Sequence, residues 1–520
     1  MPSNEEKTIK PRSTAFFSIP IRYLLCFIST LVWGLLAHGM TLFNKYSFYE
    51  DPSQLFGVGA TYTSGRWMLD VIHKFEVFFL GGSYSLPLLN GIMSIVYIGL
   101  CACITVKLLH IQRSSLIVLL SGIFVATPCM VGLFGYMFTA PHYCFGYLLA
   151  SAGVLLICHH RKWYCFLAGT VFIACSIGIY QATIPLALSL MLLWFICHVH
   201  DQRELPWKLY FLTVLYLIVA CLVFLFMYFI ANRLYLRLQG ATLSSYQGID
   251  EMGTLSISTY LNRVIYAYKV FLLPYRAGNG CMYPNGLIYL YWLLFGLSIV
   301  TGSVLLFFCA KQSISKLFQV GIPLVFIPLA VNFIYVMCDP SGVHTLMVFS
   351  QVMLPAFLFW EIGQLLPKIK KHHAVKLAAL IFIPAILCSM YVRIDNICYL
   401  KAEMVQSQTT RYYSTMITRI QETKGYQNGM PVAYVGFHQK TDSSLPNTDA
   451  FSTLDIIPYF DTDSMINGFA ARSFVENWCG FAPVVDYSPF SDMPQVQEMP
   501  CYPADGSIKV INDVVVIKFS

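Results

Sequence analysis

Long apolar runs broken at short intervals by polar or basic loops constrain this 520-residue chain more than any other feature. A run of roughly 20 residues is what a helix needs to cross the hydrocarbon of a bilayer. Backbone that crosses lipid must also satisfy its own N–H and C=O groups, which favours helices. Eleven such runs are read, at about 20–43, 84–106, 115–137, 142–158, 163–180, 183–198, 209–231, 286–309, 317–337, 344–363 and 374–392. Only 11% of the residues are charged and 57% are apolar, whereas soluble domains carry about 25% charge. A soluble globule is therefore excluded. The expected fold class is a polytopic α-helical membrane protein with about 11 transmembrane helices. The first run is long enough to span, so it is read as a helix and not as a cleaved signal.

Charge gives the expected orientation. The loops on the side of the N-terminus hold 16 Lys and Arg, among them Lys10, Arg113, Arg161, Lys316 and Lys371. The opposite loops hold eight although they are longer. Excess basic residues mark the cytoplasmic face, so the N-terminus is expected inside and everything after residue 392 outside. The net charge of +7 is on this reading a topology signal, and no nucleic-acid partner is expected. Two long outer loops follow, 44–83 and 232–285. Each contains an amphipathic segment suited to a membrane surface. In the first, Met68, Ile72, Phe75 and Phe79 share a face opposite Asp70, His73, Lys74 and Glu76, with Ser64 as a candidate cap. In the second, over 256–273, Ile257, Leu261, Val264, Tyr268 and Phe271 share a face that Arg263 and Lys269 avoid.

The chain is thus divided into a membrane region, 1–392, and a tail, 393–520. The tail reads as a helix over 398–424, then strand-like runs at 431–437, at DIIPYF (455–460) and at VINDVVVIKF (510–519). That pattern predicts a small extracytoplasmic α/β domain. Most of the 17 cysteines fall singly in apolar runs, as small buried hydrophobes do. Cys479 and Cys501 are the two available for a disulfide outside the membrane, and no CxxC or Cys/His metal spacing occurs.

Three groups of residues could carry chemistry. Glu50 and Asp51 form a carboxylate pair just past the first span, among Phe48, Tyr49 and Phe56, with Pro52 keeping the chain out of helix. Apolar neighbours and a second negative charge raise a carboxyl pKa toward the range of a general base. A solvated loop motif is the plain alternative. Arg66, Arg233, Arg263, Lys269 and Arg276 lie on the same side and could hold a lipid phosphate; snorkelling to headgroups is their ordinary role. Tyr136, His142, Tyr143, Tyr180, Gln181, Asp339 and His344 stand at span ends on that face, where they line a cavity or simply join helices. A transporter or flippase and a non-catalytic assembly protein are the rival classes. The first needs charges at span centres, of which the sequence offers few, and no internal repeat is visible.

The run FYEDPSQLFGVGATYTSGRW (48–67) resembles the first-loop signature of the Gtr type II glucosyltransferase family, within the GT-C class of polyprenyl-phosphate-sugar-dependent enzymes. The Tyr180-Gln181-Ala182 turn and the closing MPCYPADGSIKVINDVVVIKF are similar to members from Gram-positive bacteria. The resemblance implies an inverting transfer of a hexose, glucose in that family, from undecaprenyl phosphate to a surface polysaccharide such as O-antigen or another envelope glycopolymer. It implies a place in the bacterial cytoplasmic membrane, with Glu50 or Asp51 as the base and Arg66, Arg233, Arg263 and Arg276 facing the donor phosphate. Tyr136, His142, Tyr180, Gln181 and His344 would line the substrate cavity. A flippase and a synthase that charges the carrier are the implied partners. No cofactor is required, though an acid pair can also hold a divalent metal.

Overall fold

A computed structural model describes residues 20–159, 162–203, 205–244, 255–274, 283–368, 373–438, 462–468, 470–481, 484–485 and 488–520. Arg276 and the DIIPYF run lie outside these residues.

The membrane region is a helical bundle: α1 (Ile21–Phe43), α2 (Trp67–Leu80), α3 (Pro87–Leu108), α4 (Ser114–Ala126), α5 (Pro128–Phe134), α6 (Ala140–His159), α7 (Trp163–Ile179), α8 (Ile184–Asp201), α9 (Trp207–Leu238), α10 (Ile257–Leu272), α11 (Asn285–Gln312), α12 (Ile314–Leu324), α13 (Ile327–Val331), α14 (Ile334–Met337), α15 (Met353–Leu365) and α16 (His373–Gln421). Among the described residues nine helices, some joined across short breaks, are long and apolar enough to cross a membrane. The expected count of 11 is not reached, for two reasons. Helix α7 has only 17 residues. The run at 344–363 is mostly apolar, but residues 345–352 wind into short 3-10 turns and leave α15 with 13 residues, short of the roughly 20 a crossing takes.

Proline explains the breaks. Thr127, ahead of Pro128, is pushed to an extended ψ of 140° and splits α4 from α5. The split leaves the Val125 carbonyl without its helical donor, and the buried His38 Nε2–H of α1 donates to it at 2.7 Å. Tyr399 Oη of α16 donates in turn to His38 Nδ1 at 2.8 Å. Pro323 near the end of α12 and Pro328 at the start of α13 divide the run at 317–337 there, and Asn332, at φ −103° and ψ 24°, separates α13 from α14. Helices α6 and α7 approach closely because glycines face each other there. A Cβ on Gly153 would lie 2.6 Å from the Gly169 carbonyl oxygen, the small-residue contact typical of membrane helices.

Helix α2 starts at Trp67, and Ser64 makes no cap because it belongs to the preceding 3-10 turn. Its polar face turns inward. Asp70 is buried and accepts from Tyr235 Oη of α9 (2.6 Å) and Lys74 Nζ (2.9 Å), while Phe75, Phe78 and Phe79 are exposed. Helix α9 continues through Leu238, so Arg233 and Arg237 stand on helix and not in a loop.

The last predicted span and the tail helix are one element. Helix α16 runs 49 residues, about 73 Å at 1.5 Å per residue, well beyond the roughly 30 Å hydrocarbon core. It carries the chain from the bundle to a four-stranded sheet of order β2-β1-β4-β3. Its strands are β1 (Val432–Val435), β2 (Val484–Val485), β3 (Ile508–Ile511) and β4 (Val514–Lys518). Strand β1 runs parallel to β2 and β4, and β3 pairs antiparallel with β4. The closing apolar run is thus a hairpin. Asn512 and Asp513 turn it with φ of 52° and 58°, the left-handed pair a tight type I′ turn needs. Helix α17 (Thr462–Asn467) packs on α16, and helix α18 (Ala471–Trp478) packs on α17 and on the Asp51–Ser53 turn. Cys479 and Cys501 are both free thiols, so the available disulfide is not formed.

Candidate active site

The loop after α1 is held by contacts from three other parts of the chain. Gln406 of α16 takes both sides of its backbone: Ser47 N–H donates to Gln406 Oε1 (2.9 Å), and Gln406 Nε2 donates to the Lys45 carbonyl (3.0 Å). Ser85 N–H donates to the Leu55 carbonyl (3.0 Å). Asn477 of α18 donates to the Pro52 carbonyl (3.0 Å). Between these anchors Tyr49 adopts a φ of 53°, a strained value for a residue with a Cβ. The two acids that follow it are thrown to different surroundings.

Asp51 is fully buried. Its carboxylate accepts from Lys45 Nζ at 2.5 Å and Ser85 Oγ at 2.5 Å, and also from Ser47 Oγ. Lys45 Nζ donates to Ser85 Oγ as well, at 2.7 Å. Burial draws the Lys45 ammonium below its ordinary pKa, and the Asp51 charge opposes that shift. Asp51 is a charge neutralised and enclosed.

Glu50 is half-buried and its carboxylate has no hydrogen-bond partner among the described residues. Burial pushes its pKa above the ordinary 4.5, and the Arg66 charge pulls it partly back. Its wall is aromatic. Gly59, at φ 77°, lets the backbone close in: a Cβ there would stand 2.9 Å from the Phe138 ring and 4.0 Å from Glu50 Oε2. Tyr136 bridges Phe138 (6.1 Å) and Tyr49 (6.4 Å) edge to face. Of the expected apolar neighbours, Phe48 is buried, but Phe56 is 70% exposed and rests on Tyr84. Phe138, far along the chain, takes the place expected for Phe56.

Arg66 completes this corner. Its guanidinium lies 5.6 Å from the ring centres of both Tyr143 and Tyr180, which stack at 4.0 Å and 3°. The residues before it are pinned by Gln181 Nε2 to the Ser64 carbonyl (2.7 Å) and Tyr228 Oη to the Gly65 carbonyl (3.0 Å). Cys338, just after α14, is pushed up to about 11 by burial and drawn down by the charges of Arg263 and Arg66. Both arginines thus lie near enough to Cys338 to act on it. Arg263 also donates to the Val336 carbonyl (3.5 Å) and stands 4.0 Å from Asp339.

The remaining sequence candidates fall elsewhere. His142 Nε2 bonds Glu76 Oε1 at 2.9 Å, and Glu76 also accepts from Ser83, whose hydroxyl meets His73 Nδ1 at 2.8 Å. This chain fastens α2 to α6. His344 opens the turns at 345–352; there the Leu346 carbonyl accepts from Tyr147 Oη (3.4 Å), and the Tyr147 ring meets Tyr180 edge to face at 6.4 Å. Arg233 is exposed on α9, with no ion pair among the described residues. Among these residues no three His, Cys, Asp or Glu side chains are grouped to hold a metal ion.

A half-buried carboxylate without a donor among the described residues, beside a cation and an aromatic wall, is suited to accept a proton from a bound hydroxyl. The family profile of Glucosyl transferase GtrII matches residues 39–355, from the end of α1 into α15. The chain belongs to the GtrII glucosyltransferase family. It is a glycosyltransferase, and Glu50, Asp51, Arg66, Tyr136, His142, Tyr180, Gln181, Arg263 and His344 all lie inside the matched segment. No curated protein and no solved structure matches the chain.

Sequence reasoning missed Lys45, Ser85, Phe138 and Gln406. The spacing of Lys45 and Ser47 before Asp51 is a local signal that could have been used. Ser85, Phe138 and Gln406 meet the loop only through the tertiary fold, and no local pattern announces them. It also passed over two acids inside helices. Glu361 of α15 accepts from Ser298 (2.7 Å) and Thr301 (2.8 Å) of α11, and Asp395 of α16 is buried with no partner among the described residues.

Proposed function

We propose that this GtrII enzyme moves glucose from polyprenyl phosphate to an envelope glycan, with Glu50 as the base and Asp51 as the fixed acid that shapes its loop. The bundle sits in the bacterial cytoplasmic membrane with its N-terminus inside, so the acid-pair end and the sheet after α16 face outward. The acceptor hydroxyl gives its proton to Glu50 as its oxygen attacks the anomeric carbon. The bond from that carbon to the phosphate oxygen breaks, and the electron pair leaves with polyprenyl phosphate. Attack opposite the leaving group inverts the anomeric centre. Arg66 and Arg263 offset the charge that grows on the phosphate. Tyr136 and Tyr180 wall the sugar site, and α18, bonded to Pro52, stands where an acceptor would approach. A flippase and a carrier-charging synthase supply the donor. No metal takes part in this scheme.

The observation that carries the assignment is the split within the pair: Asp51 is saturated by Lys45, Ser47 and Ser85, and Glu50 is not. The test compares Glu50→Gln with Asp51→Asn in purified protein supplied with labelled polyprenyl-phosphate glucose. Glu50→Gln should fold normally and lose about 10²–10⁴-fold in kcat, the worth of a general base. Asp51→Asn should instead loosen the loop, read as faster hydrogen exchange at its amides, with a smaller loss in kcat. Equal, mild losses in both would refute the division of roles.

A further inference from the structure

Beneath α10 lies a trench of about 330 Å³ bounded by α10, α11, α13 and α15. Tyr268, Phe271, Phe295, Ile299, Leu306 and Phe357 make most of its wall. Its one ionisable group other than tyrosine, Glu361, is tied to the wall by the Ser298 and Thr301 hydroxyls. Gly302 lets Glu361 close against α11: a Cβ there would stand 2.8 Å from Glu361 Oε1. Its roof is firm. Tyr268 Oη donates to the Val325 carbonyl (3.0 Å), and the last carbonyls of α10 are capped by Tyr291 Oη on Phe271 (2.6 Å) and Trp292 Nε1 on Leu272 (2.8 Å).

The same helix carries Arg263, five residues before Tyr268, or about 7.5 Å along its axis. A cation at one end and an apolar channel at the other complement an amphiphile with an anionic head and a hydrocarbon chain. From Phe295 to Leu306 the channel follows α11 for about 16 Å. We infer that this trench holds isoprene units beyond the first two of the donor's polyprenyl chain while its phosphate meets Arg263 and Arg66. The inference rests on the donor class proposed above. It assigns α10 a second task, that of joining the headgroup site to the chain site and so selecting donors by chain.

The test blocks the trench at two exposed positions, Ser303→Trp and Ile299→Trp, and measures KM for glucose carried on undecaprenyl phosphate and on geranyl phosphate. Leu222→Trp, in the separate apolar hollow of about 410 Å³ between α8, α9 and α12, controls for a general effect on membrane packing. Both trench variants should raise KM for the long-chain donor by about tenfold, the equivalent of roughly two buried methylenes. The geranyl donor and the Leu222→Trp enzyme should stay within about twofold of the parent, far under a tenfold step. Unchanged values, equal rises with both donors, or the same rise in Leu222→Trp would overturn the assignment, the last two pointing to bulk lipid in the trench. Failure of the parent protein to use either donor would instead refute the proposed donor class.

Discussion

Replacing Asp51 by alanine removes one partner of an enclosed ion pair and leaves the other in place. The Lys45 side chain is only 18% exposed and the Asp51 side chain not at all. Breaking such a pair from one side costs about 3–5 kcal/mol, because the surviving charge is left without compensation. Lys45 keeps its bond to Ser85 and some contact with water, which places the cost near the lower end, about 3 kcal/mol. That energy falls on the loop and not on the whole bundle, since local segments open independently of the global fold. At about 1.4 kcal/mol per factor of ten, opening becomes roughly a hundredfold more frequent. Hydrogen exchange reads it directly at the Asp51, Gln54 and Ser85 amides, which donate to Phe48, Asp51 and Leu55 respectively. The double variant Lys45→Met/Asp51→Leu removes both charges and should recover most of the protection. Parental exchange in Asp51→Ala, or a double variant as open as the single one, would show that the pair does not organise the loop.

Three further outcomes follow from the same geometry. Burial raises the Glu50 pKa above 4.5 against the pull of Arg66, and a base works only when ionised, so kcat/KM should rise with pH through a midpoint above 4.5. In Arg66→Gln the anion loses its support and that midpoint should move up; an unmoved or lower midpoint in the pH profile contradicts the assignment. His142→Phe breaks the bond to Glu76 and should free α2, seen as faster proteolysis within 67–83 at unchanged bundle stability. Gly153→Leu forces α6 from α7, where even a Cβ stands 2.6 Å from a carbonyl oxygen; overpacking of this kind costs about 1–3 kcal/mol and should appear as a lower thermal midpoint in detergent.

The general architecture was legible because hydropathy acts residue by residue. Runs that are apolar throughout do become helices in this bundle, and the acid pair does stand at its end. What failed was length. An apolar run does not reveal whether its proline will split it, as at Thr127, or whether a segment such as 345–352 will turn before it becomes helix. The Asn512-Asp513 turn was readable from its dipeptide and was passed over because both flanks are apolar. At the candidate site, Glu50, Asp51, Arg66 and Tyr180 stand out in the sequence through adjacency and placement at span ends. The different surroundings of the two acids do not show in the sequence, because they depend on Ser85, Phe138 and Gln406, whose closeness to the loop is a product of the fold.

Gln406 bears most on how the site is built. The family segment ends at 355, yet this side chain, 51 residues later on α16, holds both the Ser47 N–H and the Lys45 carbonyl. One amide thus satisfies a donor and an acceptor at the point where the chain leaves α1, and it does so from the helix that carries the sheet. Gln406→Ala leaves both backbone groups to find water, a loss of about 1–3 kcal/mol. Because Lys45 and Ser47 are themselves the donors to Asp51, the loss should reach Glu50 through its loop. The kcat for glucose transfer should fall while KM for the donor stays near the parent value, since Arg66 is fixed separately by Gln181 and Tyr228. Gln406→Glu tells the two bonds apart: it keeps the acceptor for Ser47 N–H, cannot donate to the Lys45 carbonyl, and should recover part of kcat. Parental kcat in the alanine variant would mean that the loop holds its shape without α16, and that the helix serves only to carry the sheet.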